Sequence, residues 1–344
     1  MIAMSLEKKI EARRTRLKEK EKKPVNRKAL IVLFLATGLA SLFFWWRGRV
    51  IRETPPVTEV KQNPGGKITP TTSQTQETQA AAIRRKMAEE KLTEELKEIT
   101  ATASGRYAVY VYRLSDGSSY GFNQEERMPA ASIMKVPVMV TVWQKVAAGS
   151  LSPAEVYTLD EADRSTGSGP LQFKPAGSKY SIEELLTYLG KNSDNTAWVM
   201  FNRRLGKKEM QETMTKMGMT ESDYGDLVIT AADAARMFEY IYKGRAGGER
   251  GKGEIYGYLT DSIYEDRIPA GTAEEKNWEV LAHKVGTDAG VWSDAGILEL
   301  NGEKKSDLVA VILNQEVKRA EAGTLVPDIV RRICEFEEKW SETR

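Results

Sequence analysis

The sequence predicts an α+β fold in which strands from both ends of one domain form a single antiparallel sheet. An early hairpin is indicated by two short apolar alternations, Arg106–Arg113 and Ser119–Phe122, joined by a Ser-Asp-Gly turn. Patterns with a helical period fill the middle of the domain, and three apolar runs precede a terminal helical pattern. Strands at the two ends with helices between them are typical of helices packed on one sheet.

The individual elements follow from local patterns. A charged helical pattern over 81–102 has one apolar face that should be buried, formed by Ile83, Met87, Leu92, Leu96 and Ile99. Ser181 and Glu184 form a capping box that starts a helix reaching Leu189. The remaining predictions are helices at 196–205, at 210–217 and after Thr230, strands at 280–285, 295–300 and 308–313, and a last helix from about Pro327.

The segment before this domain predicts a membrane anchor. Residues 1–28 carry eleven Lys and Arg against four Asp and Glu, which is typical of a basic cytoplasmic tail. Residues 29–46 contain no charge and end in two tryptophans, so they are long enough to cross a thin bilayer. A cleaved signal peptide is the alternative, but no small-residue cleavage site follows the apolar run. We therefore expect a single-pass anchor, a flexible linker over 47–80, and an extracytoplasmic domain over 81–344 at the cell membrane.

Charge, cysteine content and the spacing of possible metal ligands argue against nucleic-acid binding, a reactive cysteine and a metal site. Residues 81–344 carry 35 Lys and Arg against 42 Asp and Glu, so this domain is not a nucleic-acid binder by charge. Cys334 is the only cysteine and lies in an apolar helical pattern, which favours core packing. No cluster of His, Cys and Asp has metal-ligand spacing, and we expect neither a metal nor a cofactor.

The segment 129–137 carries the first chemical signal. Ser132 and Lys135 are three residues apart at the start of a helical pattern, and should therefore lie on one face. A lysine can take the proton of a serine hydroxyl when desolvation or nearby charge lowers its pKa. The free N–H groups of the helix start can bind the oxyanion that forms when the serine attacks a carbonyl.

Two further motifs follow in order: Ser193-Asp194-Asn195, and Lys284-Val285-Gly286-Thr287. Together with Ser132-Ile133-Met134-Lys135 they resemble the Ser-x-x-Lys, Ser-Asp-Asn and Lys-Thr-Gly motifs of the class A β-lactamase and penicillin-binding-protein superfamily. The resemblance covers roughly residues 81–344. It implies the β-lactamase-like serine hydrolase fold, with the helical middle as a second lobe.

The resemblance also implies roles for individual residues. Ser132 would be the nucleophile and Lys135 its base, while Ser193 would pass a proton to the leaving nitrogen. Asn195 would position Lys135 and the substrate amide, and Lys284 would add positive charge. The oxyanion hole would be the backbone N–H groups of Ser132 and Thr287. Asp194 is interpreted as a helix cap.

Two departures from the family pattern concern substrate recognition and release. Val285 stands where the third motif has a hydroxyl residue, and Trp292-Ser293-Asp294-Ala295 stands where β-lactamases often place an arginine for the substrate carboxylate. Residues 218–226 lack the Glu-x-x-Leu-Asn motif whose glutamate activates the deacylating water. Glu221, Asp223 and Asp226 are the remaining candidates for that base, although a solvated loop carboxylate is the favoured interpretation of each.

His283 is the only histidine, and adjacent strand residues point to opposite faces. If Lys284 faces the cleft, His283 faces away from it. The leading interpretation is a serine hydrolase acylated by a β-lactam or a peptidoglycan-like amide. The alternatives are a D-Ala-type carboxypeptidase or peptidase, and a module that captures wall peptide or penicillin without turnover.

Overall fold

The computed structural model describes residues 71–301 and 306–341. A five-stranded antiparallel sheet has the order β2-β1-β9-β8-β7, so the early hairpin pairs with the last strand and β7 lies at one edge. Its strands are β1 Arg106–Arg113, β2 Ser119–Phe122, β7 Trp278–Asp288, β8 Val291–Leu300 and β9 Ser306–Gln315. The prediction that both ends of the domain form one sheet is confirmed.

Two short pairs of strands complete the β structure of the described residues. They consist of β3 Met128–Pro129 with β6 Val228–Ile229, and of β4 Val156–Thr158 with β5 Lys179–Ser181. The β3–β6 pair joins the segment before Ser132 to the segment that follows the 218–226 loop.

The helices lie on both faces of the sheet. In chain order they are α1 Thr71–Ala101, α2 Val136–Ala147, α3 Ile182–Lys191, α4 Asn195–Leu205, α5 Lys207–Lys216, α6 Ala231–Tyr242, α7 Gly248–Leu259, α8 Ile268–Thr272 and α9 Arg319–Ser341. One core lies between the sheet and the helical lobe, around Trp143 and Phe238. The other lies between the sheet, α1 and α9, around Trp292 and Ile333.

Helix α1 differs from its prediction in two ways. It begins at Thr71 rather than 81, because Gln, Glu and Ala allow a helix to extend outward from its packed part even without apolar periodicity. Leu92 and Leu96 are buried as predicted, but Ile83 and Met87 are 61% and 64% exposed. The apolar face is therefore buried only where α1 crosses the sheet.

The last helix also begins earlier than the sequence predicted. Helix α9 starts at Arg319 and contains Pro327, where the sequence predicted a start near that proline. Ala322 and Val326, both before the proline, are fully buried, so packing on the sheet stabilises the additional turns. Helices α7 and α8 were not predicted.

The predicted anchor over 29–46 lies outside the described residues. Within 71–301 and 306–341, no helix is long and apolar enough to span a bilayer.

Candidate active site

The nucleophile candidate lies on a short, constrained turn. Ser132 is in the first turn of a 3-10 helix, Ala131–Lys135, which continues directly into α2. Ala131 has φ = 44°, a left-handed conformation that is costly for a residue with a side chain. The turn is fixed from behind, where the N–H of Ala130 donates to the carbonyl of Leu227 at 2.8 Å. The first N–H groups of such a helix have no partners within it and are free to bind an anion.

Lys135 connects the nucleophile to the second motif. Its Nζ lies 3.1 Å from Ser132 Oγ, 3.1 Å from Ser193 Oγ and 2.7 Å from Asn195 Oδ1, and it also donates to the carbonyl oxygen of Ser193. The structure thus brings together four residues that the sequence separates by up to 63 positions.

Lys135 is only 3% exposed, and its charge is disfavoured there. Burial, together with the charge of Lys284, lowers the pKa of Lys135 to about 6, while the nearby Asp194 opposes this shift. Above about pH 6 the amine is neutral and can accept the proton of Ser132.

The second motif forms a strained loop at the start of α4. Ser193 has φ = 51°, a second left-handed residue beside Lys135. Asp194 caps α4 by accepting the N–H of Ala197 at 2.9 Å, which confirms its predicted capping role. The same carboxylate accepts the N–H of Leu171 at 2.8 Å, and Asn195 Nδ2 donates to the Thr166 carbonyl at 2.9 Å. The glycine-containing loop over 166–171 therefore holds the motif in place.

The third motif lies on the edge strand β7. A Cβ at Gly286 would lie 2.8 Å from the carbonyl oxygen of Ala130, so glycine permits the strand to approach the Ser132 turn closely. Lys284 is 2% exposed. Burial lowers the pKa of Lys284 to about 7, with the Asp294 carboxylate opposing and the Arg267 charge adding to the shift. Because β7 is an edge strand, one side of its backbone has no strand partner.

Arg267 is a residue near this site that the sequence analysis missed. Its Nη2 donates to Thr287 Oγ1 at 2.7 Å and its Nη1 to the Ser293 carbonyl at 3.0 Å, and its guanidinium stacks over Trp292, 3.7 Å from the ring centroid. Since Thr287 Oγ1 accepts this bond, its own proton remains free to donate. Arg267 precedes the third motif by 17 residues and comes from the N-cap of α8, so no local pattern could identify it.

The 218–226 loop does not bring a carboxylate to the Ser132–Lys135 pair. Glu221 and Asp226 are exposed, and Asp223 accepts the N–H of Asp226 at 2.7 Å. Tyr224 is fully buried and ties the loop to α4: Trp198 Nε1 donates to its hydroxyl at 2.8 Å, and that hydroxyl donates to Asn202 at 3.0 Å. In the described part of the chain, the three candidate carboxylates make no hydrogen bond to a residue of the three motifs.

His283 and Lys284 point to opposite faces of β7, as the alternation predicted. The ring nitrogens of His283 contact Asp294 on β8 and Glu265, which precedes α8. The described residues contain no group of three or more His, Cys, Asp or Glu arranged to hold a metal ion.

A serine beside a buried lysine, with a second serine and an asparagine on the same amine, defines a serine hydrolase of the Ser-x-x-Lys type on an α+β fold. The sequence profile of the beta-lactamase enzyme family matches residues 91–336. The chain belongs to this family and is a serine hydrolase of the β-lactamase type.

Individual relatives are distant. Beta-lactamase PSE-4 from Pseudomonas aeruginosa is 22% identical over 203 residues, which are 53% of this chain and 70% of that protein. Among solved structures, PBP-A superposes with a TM-score of 0.67 at 22% identity, covering 72% of this chain and 96% of that one. A PBP-A variant was solved as an acyl-enzyme complex with penicillin G, with a TM-score of 0.66, 21% identity, and coverage of 73% and 97%. A beta-lactamase from Sphaerobacter thermophilus has a TM-score of 0.65 at 22% identity, covering 71% and 96%. At these identities the structural likeness shows the fold alone.

Proposed function

We propose that this protein is acylated at Ser132 by β-lactams or peptidoglycan-like amides and releases the acyl group slowly. The observation that supports acylation most strongly is the buried amine of Lys135, 3.1 Å from Ser132 Oγ with a pKa lowered to about 6. The acyl-enzyme complex reported for the PBP-A variant is consistent with this chemistry on the same fold.

The acylation step uses groups that lie within hydrogen-bond reach of one another. Lys135 takes the proton of Ser132 as the Ser132 oxygen bonds to the substrate carbonyl carbon. The backbone N–H groups of Ser132 and Thr287 stabilise the resulting oxyanion. The carbon–nitrogen bond then breaks, and the proton held by Lys135 reaches the leaving nitrogen through Ser193, whose hydroxyl lies 3.1 Å from Nζ.

An anionic substrate fits the charges near β7. Lys284 of the third motif and Arg267 beside that motif are both buried, and Arg267 leaves the Thr287 hydroxyl proton free to donate. The family pattern has a hydroxyl at the position of Val285 and an arginine near Trp292 for the substrate carboxylate. Thr287 and Arg267 together take over this role. We propose that Thr287 donates to the substrate carboxylate while Arg267, which is fully buried, acts through it.

Slow release follows from the 218–226 loop. Hydrolysis of the ester needs a water molecule and a base beside it, and losing such a base typically slows the step roughly 10²–10⁴-fold. Glu221, Asp223 and Asp226 have no bonds to the motif residues, and the buried Tyr224 fixes the loop in this arrangement. The same slow release suits a carboxypeptidase of low turnover or a penicillin-capturing module.

Intact-protein mass spectrometry after exposure to benzylpenicillin tests the proposal, with Ser132→Ala as the control. We expect one adduct with the mass of intact penicillin that persists for roughly minutes or longer. No adduct and no turnover would contradict the proposal, and fast release would identify a working β-lactamase. Release of D-alanine from a D-Ala-D-Ala peptide would favour the carboxypeptidase alternative.

We also propose that residues 29–46 anchor the protein in the cell membrane, with 1–28 in the cytoplasm and 81–344 outside it. The support is the uncharged apolar run and its basic flank. A reporter fused after Glu53 should be exported while the chain keeps its N-terminus. A mature protein that begins near Arg47 would contradict the anchor.

A further inference from the structure

A buried group of charges lies on the face of β7 and β8 opposite Lys284. His283 on β7 and Asp294 on β8 are almost completely buried, and His283 Nδ1 lies 3.1 Å from Asp294 Oδ2. The other ring nitrogen, Nε2, lies 3.3 Å from a carboxylate oxygen of Glu265, whose side chain is partly in water. Neither carboxylate belongs to the three motifs.

These contacts hold the chain on both sides of Arg267. Glu265 precedes Arg267 by two residues and is held to the sheet by His283. Ile268 follows Arg267 directly, and its N–H donates to Asp294 Oδ2 at 3.1 Å. Arg267 itself has φ = −133° and ψ = −102°, outside the helical and extended regions, and its carbonyl oxygen accepts the N–H of Gly271 at 2.9 Å at the start of α8.

We propose that His283 is a positioning residue, which clamps the segment 265–268 to the sheet and thereby holds Arg267 against Thr287. The inference rests on the proposed function, because it assigns the clamp to the recognition of an anionic substrate. The path consists of direct contacts: Glu265 and Asp294 bind His283, Asp294 also binds the backbone after Arg267, and Arg267 binds Thr287.

The clamp needs a protonated ring. With both nitrogens protonated, His283 donates to Asp294 and Glu265 at the same time. Burial alone would lower the pKa of His283, but the charges and hydrogen bonds of Asp294 and Glu265 raise it to about 9.

Other charges near the clamp do not bind the ring. Lys284 points to the opposite face of β7, and Arg267 extends toward Thr287. Asp266 lies 3.6 Å from Arg267. Arg319 of α9 lies over the Trp292 ring. Among the described residues, only Asp294 and Glu265 contact the ring nitrogens.

Alkaline pH should open the clamp from one side. When His283 loses a proton, the Nδ1–H bond to the fully buried Asp294 is the one retained, and the lone pair of Nε2 then faces the Glu265 carboxylate. Glu265 can turn into water, which releases the segment before Arg267.

The test compares benzylpenicillin, which carries a carboxylate, with its neutral methyl ester. Acylation rates of the full-length chain are measured by mass spectrometry between pH 7.5 and 10 for wild type, His283→Gln and Glu265→Ala. Both variants should lose roughly tenfold in the rate for the acid, the scale of one charge-assisted hydrogen bond, and less than about twofold for the ester. In wild type the acid-to-ester ratio should fall above about pH 9, and in Glu265→Ala it should be flat.

Controls separate positioning from general destabilisation. Glu239→Gln removes a partly buried carboxylate that accepts a hydrogen bond from Tyr112, far from Arg267, and should leave the ratio unchanged. Because His283 is the only histidine, its ring resonances in an untagged chain report its titration directly, and Glu265→Ala should lower that pKa.

The outcomes are distinct. An unchanged acid-to-ester ratio in both variants, or equal losses for acid and ester, would overturn the inference while leaving acylation intact. No acylation of wild type by either penicillin would overturn the proposed function and the inference with it.

Discussion

The two sides of the cleft are built differently. On the acylation side, Ser132, Ser193 and Asn195 all contact one buried amine, and two residues of this side adopt left-handed conformations that only the surrounding packing can hold. On the other side, the 218–226 loop is hydrogen-bonded to α4, α5 and α6, and its carboxylates lie at the surface or on its own backbone. Under the proposed function, the site is organised for ester formation but not for ester hydrolysis, because the two steps need different bases.

The largest effect should come from Lys135→Ala, which removes the proposed base on the acylation side. We expect acylation to slow by on the order of a hundredfold or more while the fold is retained. Stopped-flow or mass-spectrometric acylation rates measure this. Lys145→Ala is a matched control, since Lys145 lies on α2, which follows Lys135 directly, and makes a partly exposed ion pair with Glu209. An unchanged rate in Lys135→Ala would reduce the first motif to a helix start.

The pH dependence of acylation should be the next largest effect. Because the pKa of Lys135 is lowered to about 6, its protonated form predominates below that pH, and the rate for the neutral ester should fall about tenfold per pH unit there. The same pKa shift also determines how stability depends on pH. The unfolded chain binds more protons than the folded one between about pH 6 and the usual lysine pKa, so the free energy of unfolding rises with pH in that window. The stabilising effect of Lys135→Met should therefore shrink as pH rises from 6.

Gly286→Ala tests the contact between β7 and the Ser132 turn. The added Cβ would lie 2.8 Å from the Ala130 carbonyl oxygen, and overpacking of this kind costs about 1–3 kcal/mol. We expect roughly tenfold slower acylation and a lower unfolding midpoint. Gly253→Ala on α7 meets open space and should change neither quantity adversely. Normal acylation in Gly286→Ala would show that β7 needs no such close approach.

Tyr224→Phe tests whether the 218–226 loop is independent of the acylation side. It should lower the free energy of unfolding without changing the acylation rate. It leaves Trp198 Nε1 and Asn202 Oδ1 without their present partner, which costs about 1–3 kcal/mol in the free energy of unfolding. The acylation rate should stay within about twofold of wild type. Denaturant unfolding measures the first quantity. Tyr180→Phe is the control, since the Tyr180 ring contacts Tyr188 edge to face and its hydroxyl has no hydrogen bond to a described residue. A large loss of acylation would mean that the loop supports both steps.

The smallest effects should come from the loop carboxylates. Glu221→Gln, Asp223→Asn and Asp226→Asn should each change the lifetime of the penicillin adduct by less than about twofold, because none is bonded to a motif residue. Time-resolved mass spectrometry of the adduct checks this. If the wild type turns penicillin over rapidly and any one of these changes abolishes that turnover, the loop carries the deacylating base. The contrast between the two sides would then be wrong.

The sequence could predict much of the fold because its signals are local. Alternation predicted β1 and β2, and apolar runs predicted the three late strands. The capping box at Ser181 predicted the start of α3, and the place of Asp194 before a helical run predicted that it caps α4. The three motifs could also be identified from their residues and their order along the sequence. The boundaries failed where packing decides them: α9 extends before Pro327 because Ala322 and Val326 are buried, and α1 leaves Ile83 and Met87 exposed beyond the sheet.

By itself, the sequence determined which residue types carry the chemistry, because Ser-x-x-Lys spacing on a helix brings hydroxyl and amine to one face. Only the tertiary structure decided how that chemistry is tuned. The low pKa of Lys135 arises from burial beside Lys284, which is 149 residues away in the chain. Likewise, the contacts of Thr287 with Arg267, and of His283 with Asp294 and Glu265, join the segment before α8 to two strands. Desolvation and charge proximity are properties of space rather than of sequence distance, so no local pattern records them.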